Sequence, residues 1–195
     1  MKKLSEAGIP TEFGNFQVIA FGDNDDDYTP HLALVSEKAD LSQPVLVRIH
    51  SECITGDTFG SLRCECGEQL VTSLQRIGKE GGILIYLRQE GRGIGLVNKL
   101  RAYKLQDEGL DTVEANVHLG FEPDERHYDV AVDILEILDV HEIVLMTNNP
   151  EKVEAIKESS VKLVGREPLI MPTRDSNEAY MKTKASYFGH YLKHQ

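Results

Sequence analysis

Apolar positions along the chain follow two periods. Short branched runs or alternation, the mark of strands, fall at 16–21, 31–35, 44–49 (PVLVRI), 83–87 (ILIYL), 142–146 and 161–164. Leu70, Leu74 and Ile77 have helical spacing, and glycines at 78, 81 and 82 end that helix. Further helices are predicted over 96–108, closed by Gly109, over 128–138 and over 177–193. Asn149 suits an N-cap and Pro150 the first helical position, so another helix starts there. Residues 111–126 hold few core types and many polar ones, including Thr112, Glu114, Asn116, His118, Asp124 and Arg126. That stretch reads as a long loop, and long loops in compact domains tend to be functional. Strands and helices alternate after residue 44, with extra strands before it. The expected class is α/β: a single domain over 1–195, a mixed β-sheet flanked by helices.

A length of 195 residues suits this single domain, and 41% hydrophobic with 27% charged residues excludes a disordered or fibrous chain. No apolar run approaches the roughly 18 residues of a membrane span. Residues 1–10 contain no apolar leader core, so the expectation is a cytoplasmic protein without a membrane partner. A net charge of −11 disfavours nucleic acid as a partner. The charge is uneven: six of nine arginines lie within 48–101. A small anionic ligand explains this excess; chance clustering explains it equally. The acidic stretch 22–28 (GDNDDDY) is not an EF-hand. Tyr28 stands where the loop glycine belongs and Leu34 where the bidentate Glu belongs, which leaves a solvated turn.

The three cysteines, Cys53, Cys64 and Cys66, form a C-x10-C-x-C pattern inside 14 residues. An odd count without a leader argues against a disulfide framework. Three readings fit the spacing. Three thiolates can hold a catalytic zinc with its fourth position open. A water there would have its pKa lowered toward about 7. His50 or His118 can complete a closed structural zinc. The thiols can also be buried and inert.

Other chemistry gathers at strand ends. The strand at 44–49 runs into His50, Ser51, Glu52 and Cys53, where sites collect in α/β sheets. The strand at 83–87 runs into R-Q-E-G-R-G-I-G (88–95), a Gly-rich turn before a helix. It is neither a dinucleotide fingerprint nor a Walker loop, but glycines at a helix start let backbone N–H groups approach an anion. An ordinary tight turn is the plain alternative. Lys152 in a first helical turn opposes the helix dipole; a ligand-facing lysine and a surface lysine both fit.

R-I-H-S-E-C (48–53), R-C-E-C-G-E-Q-L (63–70), R-Q-E-G-R-G-I-G-L (88–96), D-x-R (124–126) and T-N-N-P-x-K (147–152) occur in this order. Together they closely resemble GTP cyclohydrolase II, the enzyme family of the first committed step of riboflavin synthesis. The resemblance covers nearly the whole chain. It implies hydrolysis of GTP to formate, pyrophosphate and 2,5-diamino-6-(5-phospho-ribosylamino)pyrimidin-4(3H)-one, with one Zn2+ per subunit, Mg2+ entering with GTP, and a homodimer. Some family members carry a fused domain that makes a four-carbon phosphate. Nothing precedes residue 1 here, so the cyclohydrolase activity alone is expected.

By motif position, the resemblance makes Cys53, Cys64 and Cys66 the zinc ligands. Tyr103 lies near guanine C8, where it positions water or donates a proton; packing of its ring in the core is the plain alternative. Arg48, Ile49, His50, Ser51 and Glu52 line the nucleotide, and Glu52 is the expected Mg2+ neighbour. Gln69 contacts the guanine or the zinc side. Glu90, Gly91 and Arg92 form the triphosphate loop, and Thr112, Thr147 and Lys152 make further nucleotide contacts. Asp124 acts as base or orienter for Arg126. The arginine either attacks the α-phosphate or, as a guanidinium with a pKa above about 12, stabilises charge on the transferring phosphoryl group. Two rival functions are a partial activity that stops at the formamide or omits pyrophosphate release, and a zinc-stabilised nucleotide-binding module without turnover.

Overall fold

The computed structural model describes every residue except 173, 175–176, 178–182 and 192–195. Three strands, β1 (Lys2–Thr11), β2 (Gly14–Gly22) and β3 (His31–Ser36), are antiparallel neighbours. Next to β3 lies β5 (Ile83–Leu87), antiparallel to it and parallel to β4 (Val45–Ser51). β6 (Glu142–Met146) and β7 (Lys162–Glu167) continue the parallel half, so the order is β1-β2-β3-β5-β4-β6-β7. The mixed sheet matches the expected class. β1 was not expected: its residues are exposed apart from half-buried Leu4, so no alternation marks it.

The helices are α1 (Ile54–Asp57), α2 (Cys66–Glu80), α3 (Gly95–Asp107), α4 (Thr112–His118), α5 (Asp129–Ile137) and α6 (Pro150–Lys157). They cover both faces of the sheet. On one face, Ala131, Ile134 and Leu135 of α5 and Val153 and Ile156 of α6 meet Val45, Val47, Ile49, Ile83, Ile85 and Leu87. On the other, Ile77 with Leu70 and Leu74 of α2 packs on Phe16 and Leu84. The i, i+3, i+4 spacing of α5 and the period of two in β5 are what split the apolar residues between the layers.

Three expectations need correction or refinement. The stretch 111–126 is not wholly a loop, because α4 starts inside it on a capping box. The Asp111 carboxylate accepts from the N–H of Val113 and Glu114, and the Glu114 carboxylate accepts from the Asp111 N–H. α2 runs through Gly78, where a Cβ would lie 1.8 Å from the Phe13 carbonyl oxygen, and ends as expected at Gly81, its C-cap. The helix expected over 177–193 falls partly outside the described residues; 183–186 are helical and 187–191 are not.

The chain leaves β4 toward β5 on one side, then crosses back past β4 to β6 on the other. In such sheets the crevice opens beyond the carboxyl ends of the strands at this reversal. His50 and Ser51 end β4, Arg88 follows β5 and Thr147 follows β6, so these strand ends share one rim.

Candidate active site

β4 delivers Cys53 to this rim, and the start of α2 brings Cys64 and Cys66. The three sulfurs lie within 4.8 Å of one another, and Cys53 and Cys64 are 3.7 Å apart. Gly56 makes this convergence possible. A Cβ there would meet the Cys64 sulfur at 2.9 Å and the Cys53 sulfur at 3.2 Å. A tripod of soft donors at this separation fits a zinc ion. Neither histidine weighed as a fourth ligand joins it. His50 Nε2 is held at 3.1 Å by both carboxylate oxygens of Asp57, and His118 is exposed on α4. Hydrogen bonds from Cys64 and Cys66 pull the Cys53 thiol below its ordinary pKa, against burial.

A cavity of about 600 Å³, counting its mouth, opens over the thiols. Lys99, Ala102, Tyr103 and Gln106 reach it from one face of α3, at the spacing that aligns side chains on a helix. The Gly-rich turn adds Glu90, Gly91 and Arg92, and β4 adds Ser51 and Glu52. Gly91 and Arg92 both adopt positive φ (63° and 60°). For arginine this is a sparsely populated conformation of the kind found at functional sites. Lys99 Nζ donates to Glu90 Oε1 at 2.7 Å and to the Cys53 sulfur at 3.0 Å. Burial alone would lower its pKa, but the Cys53 sulfur and Glu90 outweigh burial and hold it above the ordinary range. Glu52 pairs with Arg88 at 2.9 Å, and burial raises its pKa.

A second cavity, about 490 Å³, lies beyond Ser51, Cys66 and Arg126, which border both. Arg48, His50, Gln69, Thr147, Asn148, Asn149, Lys152, Lys184 and His190 complete its lining. Arg48 donates to the Met146 carbonyl at 3.0 Å and to Gln69 Oε1 at 2.7 Å, and burial brings its pKa down to about 10. Lys152 donates to the Ile49 carbonyl at 2.8 Å. Burial first, then Arg48 and Arg126, push its ammonium well below the ordinary range. On the border, Arg126 forks onto Asp124 through Nε at 2.8 Å and a terminal nitrogen. Burial would raise the Asp124 pKa, but the bonds from Arg126 outweigh it and lower it, so Asp124 stays ionised.

The sequence-predicted residues therefore meet in two joined cavities. Cys53, Cys64, Cys66, Ser51, Glu52, Glu90, Gly91, Arg92, Tyr103, Thr112 and Arg126 line the first. Arg48, His50, Gln69, Thr147 and Lys152 line the second. Asp124 reaches them through Arg126. Ile49 differs, since its side chain lies in the core and its carbonyl alone faces Lys152. Sequence reasoning missed Asp57, which binds His50, the Cys53 N–H and the Tyr86 hydroxyl. It also missed Lys184 and His190. The shared face of Lys99 and Tyr103 on one helix was the legible clue to a role for Lys99.

The chain matches the family described as GTP cyclohydrolase II over residues 2–168. A GTP cyclohydrolase-2 of Haemophilus influenzae is 50% identical over 193 residues, covering 98% of this chain and 89% of the relative. One of Actinobacillus succinogenes is 50% identical over 195 residues, covering 100% and 89%. The riboflavin biosynthesis protein RibBA of Bacillus mycoides is 52% identical over 188 residues, which cover 96% of this chain but 47% of that longer protein. None of the described helices is long and apolar enough to cross a membrane. With the motif residues gathered at one rim and relatives this similar along nearly its full length, the chain belongs to the GTP cyclohydrolase II family.

Proposed function

We propose that this chain hydrolyses GTP to formate, pyrophosphate and the diaminopyrimidinone nucleotide, the entry step of riboflavin synthesis. The observation that carries this reading is the pair of cavities joined at Arg126. One offers sulfur donors beside Tyr103, and the other offers buried cations. A zinc ion held by Cys53, Cys64 and Cys66 would supply Lewis acidity toward the water that opens the imidazole ring. Tyr103 orients that water, or gives a proton, at guanine C8. Arg92 and the backbone of the turn receive the triphosphate, which brings Mg2+ with Glu52 nearby. Arg48, His50, Gln69, Thr147 and Lys152 hold the remaining nucleotide groups. The resemblance implies a homodimer, and the expectation for each subunit is one domain over 1–195 in the cytoplasm.

At the α-phosphate, Arg126 acts as a charge stabiliser and water attacks. The guanidinium is forked on an ionised carboxylate, an arrangement that keeps it protonated and weakens it as a nucleophile. Asp124 fixes its direction. The test is one incubation of zinc-loaded protein with GTP and Mg2+, quantifying formate and pyrophosphate, beside a metal-stripped sample. Equal release of both products, with formate lost on stripping, is expected. Arg126→Gln should slow pyrophosphate release by on the order of 10²–10³ and leave zinc content unchanged. GTP binding with neither product would favour the binding module instead.

A further inference from the structure

Lys99 is buried in the middle of α3, where a lysine side chain ordinarily reaches solvent. Its ammonium lies between the Cys53 sulfur at 3.0 Å and Glu90 Oε1 at 2.7 Å. Glu90 is itself anchored. Its second oxygen accepts from the Ile54 N–H at 2.6 Å, and Oε1 also accepts from the Gly91 N–H at 2.7 Å. Ile54 follows Cys53 directly, so carboxylate, ammonium and sulfur form a closed loop. Both side chains are about a tenth exposed (10% and 9%), so water competes little for these bonds.

We propose that Lys99 is a positioning residue for the three-thiol site, fixing the Cys53 sulfur and offsetting the charge of the loaded centre. This rests on the zinc reading given above. A divalent ion on three thiolates carries one net negative charge; the ammonium lies against one of those sulfurs and offsets that charge locally, while Glu90 leaves the whole loop with one net negative charge. An N–H···S bond also draws on a sulfur lone pair, so Cys53 donates less to the metal and leaves it a stronger Lewis acid. Glu90 aims the ammonium in turn, which gives this residue of the Gly-rich turn a part in the metal centre.

The experiment measures zinc affinity by chelator competition and the absorption spectrum of the cobalt(II)-loaded protein. K99M should bind zinc on the order of 10–100-fold more weakly. Its sulfur-to-cobalt charge-transfer band should move to longer wavelength, because the lone pair loses its donor. K99R, which keeps charge and donors, should stay within a few-fold of wild type with its band restored. R101Q makes the same charge change at an exposed position of the same helix and should leave affinity and band unchanged. If K99M does not fold, K99Q replaces it with the same expectation. Wild-type affinity and an unshifted band in the charge-removed variant overturn the proposal while the metal reading stands. A wild-type protein that takes up neither metal at its thiols overturns both.

Discussion

The two cavities that meet at Ser51, Cys66 and Arg126 treat positive charge differently. On the side of the thiols, two cations have ionic partners at contact distance: Lys99 with Glu90 and Arg88 with Glu52. In the second cavity, Arg48 and Lys152 are bonded to neutral groups, namely carbonyls and the Gln69 amide. Neutral acceptors satisfy the terminal N–H donors of Arg48 and the Lys152 ammonium but do not cancel the charge. Burial accordingly depresses both pKa values. Lys184, paired with Glu65 at 2.7 Å, and Arg126 on the border, forked on Asp124, are the exceptions. Lys99 is thus balanced beside the sulfur donors, whereas the second cavity keeps positive charge on Arg48 and Lys152 that an anionic group of the nucleotide reaching past Arg126 would balance.

The largest effect expected from this division is a separation of chemistry from binding. Cys64→Ser replaces a thiolate by an alcohol that does not ionise near neutrality. Zinc content should fall, and formate formation should drop by on the order of 10³-fold. GTP affinity, read by calorimetry, should stay within a few-fold because the second cavity is intact. An equal loss of affinity would mean the cavities are one energetic unit. A middle-sized effect is expected at Lys152, with opposite signs in two assays. Lys152→Met removes a charge-assisted contact, so GTP should bind roughly 10–100-fold more weakly. It also removes a buried cation that has no ionic partner among the described residues, so the ligand-free protein should gain about 1 kcal/mol in a denaturant titration. A variant that loses stability and binds GTP normally would refute the stored-charge account.

Legibility in the sequence followed burial pattern and motif density. The parallel strands were readable because both faces are covered, as in β5, which is apolar throughout. β1 was not, because its residues are nearly all exposed and only backbone pairing with β2 defines it. α4 was hidden by its polar composition, although Asp111 and Glu114 stand at capping-box spacing. At the site, the residues of dense motifs were readable one by one. Their partition was not, since nothing local says that Arg48 lies beyond Cys66 while Arg92 lies above it. Asp57 was invisible for a related reason. Its three partners, His50, the Cys53 N–H and Tyr86, come together only when α1 folds against β4 and β5.

The smallest expected effect tests the same asymmetry through pH. His190 lines the second cavity, and its backbone N–H donates to the Lys184 carbonyl. Burial, then Lys184 and Arg126, push its pKa from 6.5 down to about 2. Above pH 6.5 the histidine is neutral folded and unfolded, so it contributes nothing to the pH dependence. Below that, the unfolded chain takes a proton the folded one refuses, and stability is lost progressively as pH falls toward the folded value. The slope per group is at most about 1.4 kcal/mol per pH unit. Relative to H190Q, wild type should therefore lose stability between pH 6.5 and 5 in paired denaturant titrations. Saturating pyrophosphate should flatten the difference, because a bound anion offsets the cations that repel the proton. Equal slopes without the anion would show that the folded histidine accepts its proton readily and that the second cavity stores less charge than its geometry implies. A slope untouched by pyrophosphate would place the anion away from Lys184 and His190, at Arg92 and the Gly-rich turn.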